Sequence, residues 1–500
     1  MRPVEILQQV HEAYPYFFVC IPLILFFYSQ YRGKFGVSGP FEWPIFGALP
    51  FLLSNRHDIL RGILTYSRLY NFKTWTVKWI GEPRFFMTCD PRNLEHILKT
   101  NFPNYPKGEN FRHTLTDLLG NGIFNSDGQQ WKDQRHLFAN IFSERSFQTT
   151  IMNAFIEGGE KLEKILDEAA TTGTTLDVFA LFNRFTLDSI GKIAFGADIG
   201  SLDDANHPFA AAFDEAQVTV DLRFFTPGWR FLAPFLSRER RLKVALNTMN
   251  DFCNGLIAER RRCKDLAERR DVLSRAMCME EPEGTFPYRD NNGALRDIIL
   301  NFLIAGRDTT AQALSWAILQ VASHPAVEEE LAGEALSLPT FPPPFEAVEK
   351  QLRVARSVTL ETLRLFPSVP KDIKLCSKGD TLPDGTYIPS GTTVVYLPYV
   401  MGRSKELWGE DAPRFDPQRF ITSPNPSPWK FPVFNGAGPR QCLGQRMAIV
   451  EACFVLSSIY RKFHLELDPL SQAAPDGCPY QDSLTLPPAR GVRVKVRRRK

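Results

Sequence analysis

The chain has 500 residues, of which 44% are hydrophobic and 23% charged. That is ordinary globular composition, which excludes a disordered, collagen-like or coiled-coil chain and leaves ample apolar surface for a core. Lys plus Arg number 59 against 56 for Asp plus Glu, a net charge of +3, so charge gives no sign of a nucleic-acid partner. Length alone suggests about three domains, and one large domain is also allowed. The nine cysteines fall at 20, 89, 253, 263, 278, 376, 442, 453 and 478. None forms C-x-x-C or a zinc spacing and the count is odd, which fits a reducing compartment and a cysteine acting alone.

In chain order, the first element is an uncharged run, AYPYFFVCIPLILFFYS, from Ala13 to Ser29. As a helix it would span ~26 Å, close to a ~30 Å hydrocarbon core. Acidic residues before it and no small-residue cleavage site after it favour an uncleaved anchor over a signal peptide. Arg32 and Lys34 put the body on the cytosolic side, and Pro15 and Pro22 keep a monotopic insertion open beside a spanning helix. Residues 31–50 read as a Pro/Gly-rich connector. Residues 51–500 read as one body, mostly helical with a smaller strand-rich part. Helices are predicted over 92–98, 143–169, 245–270 and 348–365, and a single helix of about 30 residues over 293–323, capped by Asn292. Polar or Pro-rich loops are expected at 280–292 and 334–345. Short strands follow over 372–397, and 492–496 alternates as an edge strand ahead of a solvated basic tail.

The decisive motif is FNGAGPRQCLG, Phe434 to Gly444. It puts Cys442 in a glycine-rich turn before a helix, where the dipole and backbone N–H groups favour the metal-ligating thiolate. Glycines such as Gly438 and Gly444 let backbone approach a flat, bulky group, and Arg440 is placed to pair with an acidic group. Upstream, Ala305-Gly306-Arg307-Asp308-Thr309-Thr310 sets a glycine in mid-helix, at a cost of about 1 kcal/mol, which close approach to a ligand would explain. Glu361 and Arg364 are neighbours at i and i+3. Phe415 to Phe420, FDPQRF, supplies Arg419, and Trp131 and Arg135 share one helical face.

Together, in this order, these motifs resemble the cytochrome P450 haem-thiolate monooxygenases, whose signature is F-x-x-G-x-R-x-C-x-G. The chain departs from it at one point: Asn435 stands seven residues before the cysteine and Phe434 one further, as though a residue were inserted. The resemblance implies a mainly α fold with a β-rich part, and haem b with Cys442 as axial iron ligand. Arg440, Trp131 and Arg135 would lie on the propionates, with Gly438, Gly444, Phe434 and Ala305 around the cofactor. Asp308 and Thr309 would relay protons to bound dioxygen, and Glu361, Arg364 and Arg419 would form a structural network. Phe302, Ala305 and Val369 would border the space above the haem. It further implies a monooxygenase reaction with O2 and two electrons from NADPH, delivered by a diflavin reductase at the endoplasmic reticulum membrane, to a monomer facing the cytosol.

Stretches such as Asn104-Tyr105-Pro106-Lys107-Gly108, NFLIAGRDTT and Val369-Pro370-Lys371-Asp372 resemble the plant and fungal fatty-acid omega-hydroxylases, which makes a long-chain fatty acid the expected substrate. Lys371 or Lys107 could hold its carboxylate, although a surface position is the first expectation for each. The alternatives are another lipophile, such as a sterol, terpenoid or alkane, and a haem-binding membrane protein without turnover.

Overall fold

This computed structural model describes residues 34–499 except 44–45, 57, 80–81, 225, 227, 280–287, 472–478 and 482. The anchor expected within residues 1–30 and most of the 280–292 loop lie outside the described residues. Among the described residues no helix is long and apolar enough to cross a membrane.

The helices that position the site are α1 (Gly128–Ala139), α2 (Val178–Phe195), α3 (Pro208–Phe224), α4 (Asn292–Leu303), α5 (Thr309–Ala322), α6 (Arg353–Leu365) and α7 (Gln445–Lys462). Helices α4 and α5 form one rod, joined by a wider π turn over Ile304–Asp308. The rod's cap is Asn291, whose side chain accepts the Ala294 N–H, one residue earlier than expected. Almost every residue from Leu295 to Val321 is buried, so the rod is enclosed on all sides and crosses the core, with buried polar side chains such as Arg307, Asp308 and Gln312 among its apolar ones. Gly306 owes its identity to α2: a Cβ there would lie 2.6 Å from Ile190. Helix-to-helix approach, rather than a ligand alone, requires the glycine.

Strands β1 (Trp75–Val77) and β2 (Phe85–Thr88) pair antiparallel. Strand β3 (Thr175–Asp177) belongs to a second sheet, and β4 (Asp372–Leu375) returns to the first. A small hairpin of β5 (Asp380–Thr381) and β6 (Tyr387–Ile388) follows. Strand β7 (Thr393–Tyr396) then lies between β2, to which it is parallel, and β4, to which it is antiparallel. Strands β8 (Phe463–Leu467) and β9 (Arg493–Arg498) complete the second sheet in the order β3-β9-β8.

Strand β9 is therefore central, not the edge strand expected, since alternation of Val494 and Val496 with charged residues does not say how many partners a strand has. Its basic end is not a free tail either. Arg497 pairs with Glu466, Arg498 with Asp167, and Arg499 with Glu328 and Glu329. The connector also differs from expectation: Thr76 N–H bonds to Ser38 O and Ala48 N–H to Lys78 O, so Ser38 and Ala48 are held at β1 and the residue just after it. Smaller shifts are a helix at 237–262 instead of 245–270, a loop confined to 338–344 because a helix continues to Ser337, and a break at Leu352 ahead of α6.

Candidate active site

A cavity of about 380 Å³ lies between the α4–α5 rod and the loop before α7. Cys442 stands in its wall. The residue is surrounded by protein, yet its side chain is open to this space. Enclosure raises the thiol pKa. The N–H groups of Gly444 and Gln445 and the guanidinium of Arg135 pull it back towards the thiolate. The loop is closed by the Cys442 N–H on the Phe434 carbonyl at 2.9 Å. Asn435 and Gly436, both at φ 67°, absorb the extra residue, and Phe434 lines the same cavity as Cys442. The expected bulge is thus present. Gly438 packs backbone to backbone, with a hypothetical Cβ 2.0 Å from the Leu98 carbonyl oxygen. Gly444 has room, its nearest neighbours being Phe142 at 3.9 Å and the Cys442 sulfur at 4.0 Å.

On the opposite wall Ala305 and Thr309 are the half-exposed residues of a stretch otherwise buried from Asn301 to Thr310. The Thr309 hydroxyl donates to the Ala305 carbonyl at 2.6 Å. Phe302 reaches the cavity edge-on to Phe138, with centroids 4.6 Å apart, and Val369 lines it as expected.

The family model for cytochrome P450 matches residues 37–492. The chain belongs to the cytochrome P450 family. Cytochrome P450 704B1 of Arabidopsis thaliana is 35% identical over 93% of this chain and 96% of its own length. Cytochrome P450 704C1 of Pinus taeda is 38% identical over 76% and 79%. Cytochrome P450 monooxygenase cyp1 of Mycosarcoma maydis is 34% identical over 92% and 75%. The protein is accordingly an oxidoreductase of a monooxygenase family that uses haem b, O2 and electrons from NADPH through a reductase.

The basic groups beside Cys442 fit the acidic edge of such a cofactor. Arg135 is half-buried in the cavity wall, 5.9 Å from the Trp131 ring, and has no hydrogen bond or ion pair among the described residues. Arg440 lies 4.5 Å over the Trp131 ring and meets Asp127 at 2.5 Å and the Ser126 carbonyl at 2.8 Å; its buried Nε has no partner. Lys107 and Lys374 share Asp372, at 2.8 and 2.7 Å. Four basic side chains thus face two carboxylates, an excess suited to a group carrying two acidic arms. Burial pushes Lys374 down to about 7, while Lys107 and Lys374 hold Asp372 well below the usual carboxylate range against its own burial.

One expectation is corrected and one residue is placed. Asp308, named with Thr309 for proton relay, does not line the cavity with it. It is buried on the far side of the rod, 3.0 Å from Arg307, which also meets the exposed Asp214 at 2.7 Å. Burial pushes Asp308 up to about 6. Lys107 is not a free surface lysine but a largely enclosed one, paired with Asp372.

Glu361 and Arg364 form a buried two-pronged pair at 2.6 and 2.7 Å. Arg364 also donates to the carbonyls of Gly402, Ala412 and Arg414. Arg419 approaches Glu361 at 3.6 Å and donates to Trp408 and Asp411 carbonyls at 3.0 Å. None of the three lines the cavity.

Sequence reasoning missed Asp127, Asp372, Lys374 and Tyr396. The alternation of Asp372 and Lys374 two apart on a strand placed them on one face, and was the available signal.

Proposed function

We propose that this enzyme hydroxylates long-chain fatty acids at or near the terminal carbon. One oxygen atom of O2 enters a C–H bond, and the other leaves as water with two protons and two electrons from NADPH. The observation that carries the reading is the shape and chemistry of the space above Cys442. The cavity is walled largely by apolar side chains, among them Phe302, Ile304, Ala305, Leu363 and Val369, as an alkyl chain requires. It shares Lys107, Phe111, Lys371, Asp372 and Leu484 with a second cavity of about 300 Å³, lined by Phe51, Trp79, Phe224 and Trp229. The two cavities are adjacent across these residues, and in this reading a long chain extends from the first towards the second.

In this reading Cys442 ligates the haem iron, and haem bound there supplies oxygen activation. Arg440, Arg135 and Trp131 hold the propionate edge. Phe434, Gly438 and Gly444 shape the loop under the ring. The Thr309 hydroxyl, now on the Ala305 carbonyl, turns to donate a hydrogen bond into the cavity. Asp308 supplies protons to that hydroxyl from the far side of the rod, with its carboxyl held by Arg307. Phe302, Ala305 and Val369 guide the chain end, and Glu361, Arg364 and Arg419 hold the frame. The electron donor is a diflavin reductase. The body (residues 51–500) acts as a monomer on the cytosolic face of the endoplasmic reticulum membrane, with 1–30 as anchor and 31–50 as connector.

Titrating the ferric holoprotein with fatty acids of increasing length tests the substrate. A saturable spin-state shift, followed by terminally hydroxylated product with reductase and NADPH, is expected. Bound haem with no shift at any chain length overturns the fatty-acid reading in favour of another lipophile.

A further inference from the structure

The lengthened loop before Cys442 carries a side chain that the family signature leaves unassigned. Asn435 adopts φ 67° and ψ 37°, a left-handed conformation that costs a residue with a Cβ roughly 1–2 kcal/mol. Its neighbour Gly436 is also left-handed, and a Cβ there would lie 2.4 Å from the Trp429 ring. Glycine therefore suits position 436, whereas position 435 holds an amide despite its backbone.

Its Nδ2 donates to the Arg440 carbonyl at 2.8 Å, two residues before Cys442, and its Oδ1 faces the Tyr396 hydroxyl, whose one proton it shares with Asp372. Tyr396 sits buried on β7, its hydroxyl also 2.5 Å from Asp372 Oδ2, the carboxylate that takes Lys107 and Lys374. One chain of polar contacts runs from the first sheet across Asn435 into the cysteine loop. Without it, a nine-residue turn with two glycines between Phe434 and Cys442 would be pinned internally by the Cys442 N–H bond to Phe434 and the short turns at its two ends.

We propose that Asn435 is a positioning residue for Cys442, and that its amide, braced by Tyr396, fixes the lengthened loop so that the sulfur stays directed into the cavity. The inference rests on Cys442 being the iron ligand. Asn435 also lines the cavity, but its hydrogen bond to the loop is made at the Arg440 carbonyl, and it is through that bond that it acts.

The test uses the holoprotein and three variants. Asn435→Gly keeps the left-handed backbone and deletes the amide. Tyr396→Phe removes the brace and keeps the ring. Cys442→Ser is the control for ligation. Three readouts are followed: haem release to an acceptor protein, the Soret band of the reduced carbon monoxide complex, and the ferric/ferrous midpoint potential. Asn435→Gly is expected to release haem about ten-fold faster, the scale of one lost buried hydrogen bond. It should also move part of the carbon monoxide complex to the shorter-wavelength band of a neutral ligand and raise the potential. Tyr396→Phe should move all three the same way, by about two- to three-fold in release rate. If Asn435→Gly matches the wild type in release, spectrum and potential, the brace is overturned. If Cys442→Ser keeps the thiolate band, the cysteine assignment itself fails, a result separable from failure of the brace.

Discussion

Two groups of buried charges sit in the same body and are answered differently. Around Glu361, both carboxylate oxygens meet Arg364, and Arg364 spends its other donors on three backbone carbonyls. Around Cys442, Arg135 has no hydrogen bond or ion pair among the described residues, and among them the buried Arg440 Nε has no partner. Leaving a buried donor unmade costs about 1–3 kcal/mol, and a donor left so beside an open cavity suits a group that enters it. The first group is closed by the chain except at Arg419 Nε, which borders no such cavity; in the proposed reading the second is completed by a cofactor. Charge and burial alone do not distinguish the two; the open cavity beside the second does.

Breaking the closed group should have the largest effect. Glu361→Ala strands a wholly buried guanidinium and is expected to cost about 4 kcal/mol; thermal unfolding and soluble yield report it. Arg364→Lys keeps the charge and loses the planar fork and most of its carbonyl bonds, for about 2–3 kcal/mol in denaturant unfolding. The open group should respond in the opposite sense. Arg135→Gln is expected to leave apoprotein stability within about 0.5 kcal/mol, yet to weaken haem retention about ten-fold, which corresponds to ~1.4 kcal/mol. Equal losses of apoprotein stability in Glu361→Ala and Arg135→Gln would erase the distinction.

Glu451 sharpens the comparison from a third side. It is buried on α7 without a basic partner among the described residues, and burial pushes it up to about 8 from 4.5. The folded state then holds a proton that the unfolded state has released. Stability from this group is full below pH 4.5, falls as pH rises towards 8, and levels off above it. Glu451→Gln should remove that slope, with a gain in stability at pH 8 and none at pH 4. Melting temperatures across that range measure it.

The cysteine motif was legible because its chemistry lies in eleven consecutive residues, and the Glu361–Arg364 pair because three residues on a helix make neighbours. The separation of Asp308 from Thr309 was available in principle, since consecutive helical residues point about 100° apart. The motif names both residues without saying that they face different ways. The basic wall was not legible in full. Its members come from the segment before α1, from α1 itself, from β4, β7 and the cysteine loop, and only the fold brings them together. The central place of β9 was hidden for the same reason, since a strand's alternation records its two faces and says nothing of its two edges.

The parallel pairing of β2 with β7 has a consequence for how the chain reaches this state. Phe85 lies opposite Thr393 and Thr88 opposite Tyr396, so the ladder closes a very long loop. Contacts so distant in sequence reward the chain only after its conformational freedom has been given up, which makes them late and slow to form. Lys374 and Tyr396 sit on β4 and β7, the strands this ladder anchors. A chain in which this ladder has yet to form therefore lacks the assembled Lys374–Asp372–Tyr396 wall, and if that wall holds the cofactor, as proposed, its capture follows the ladder.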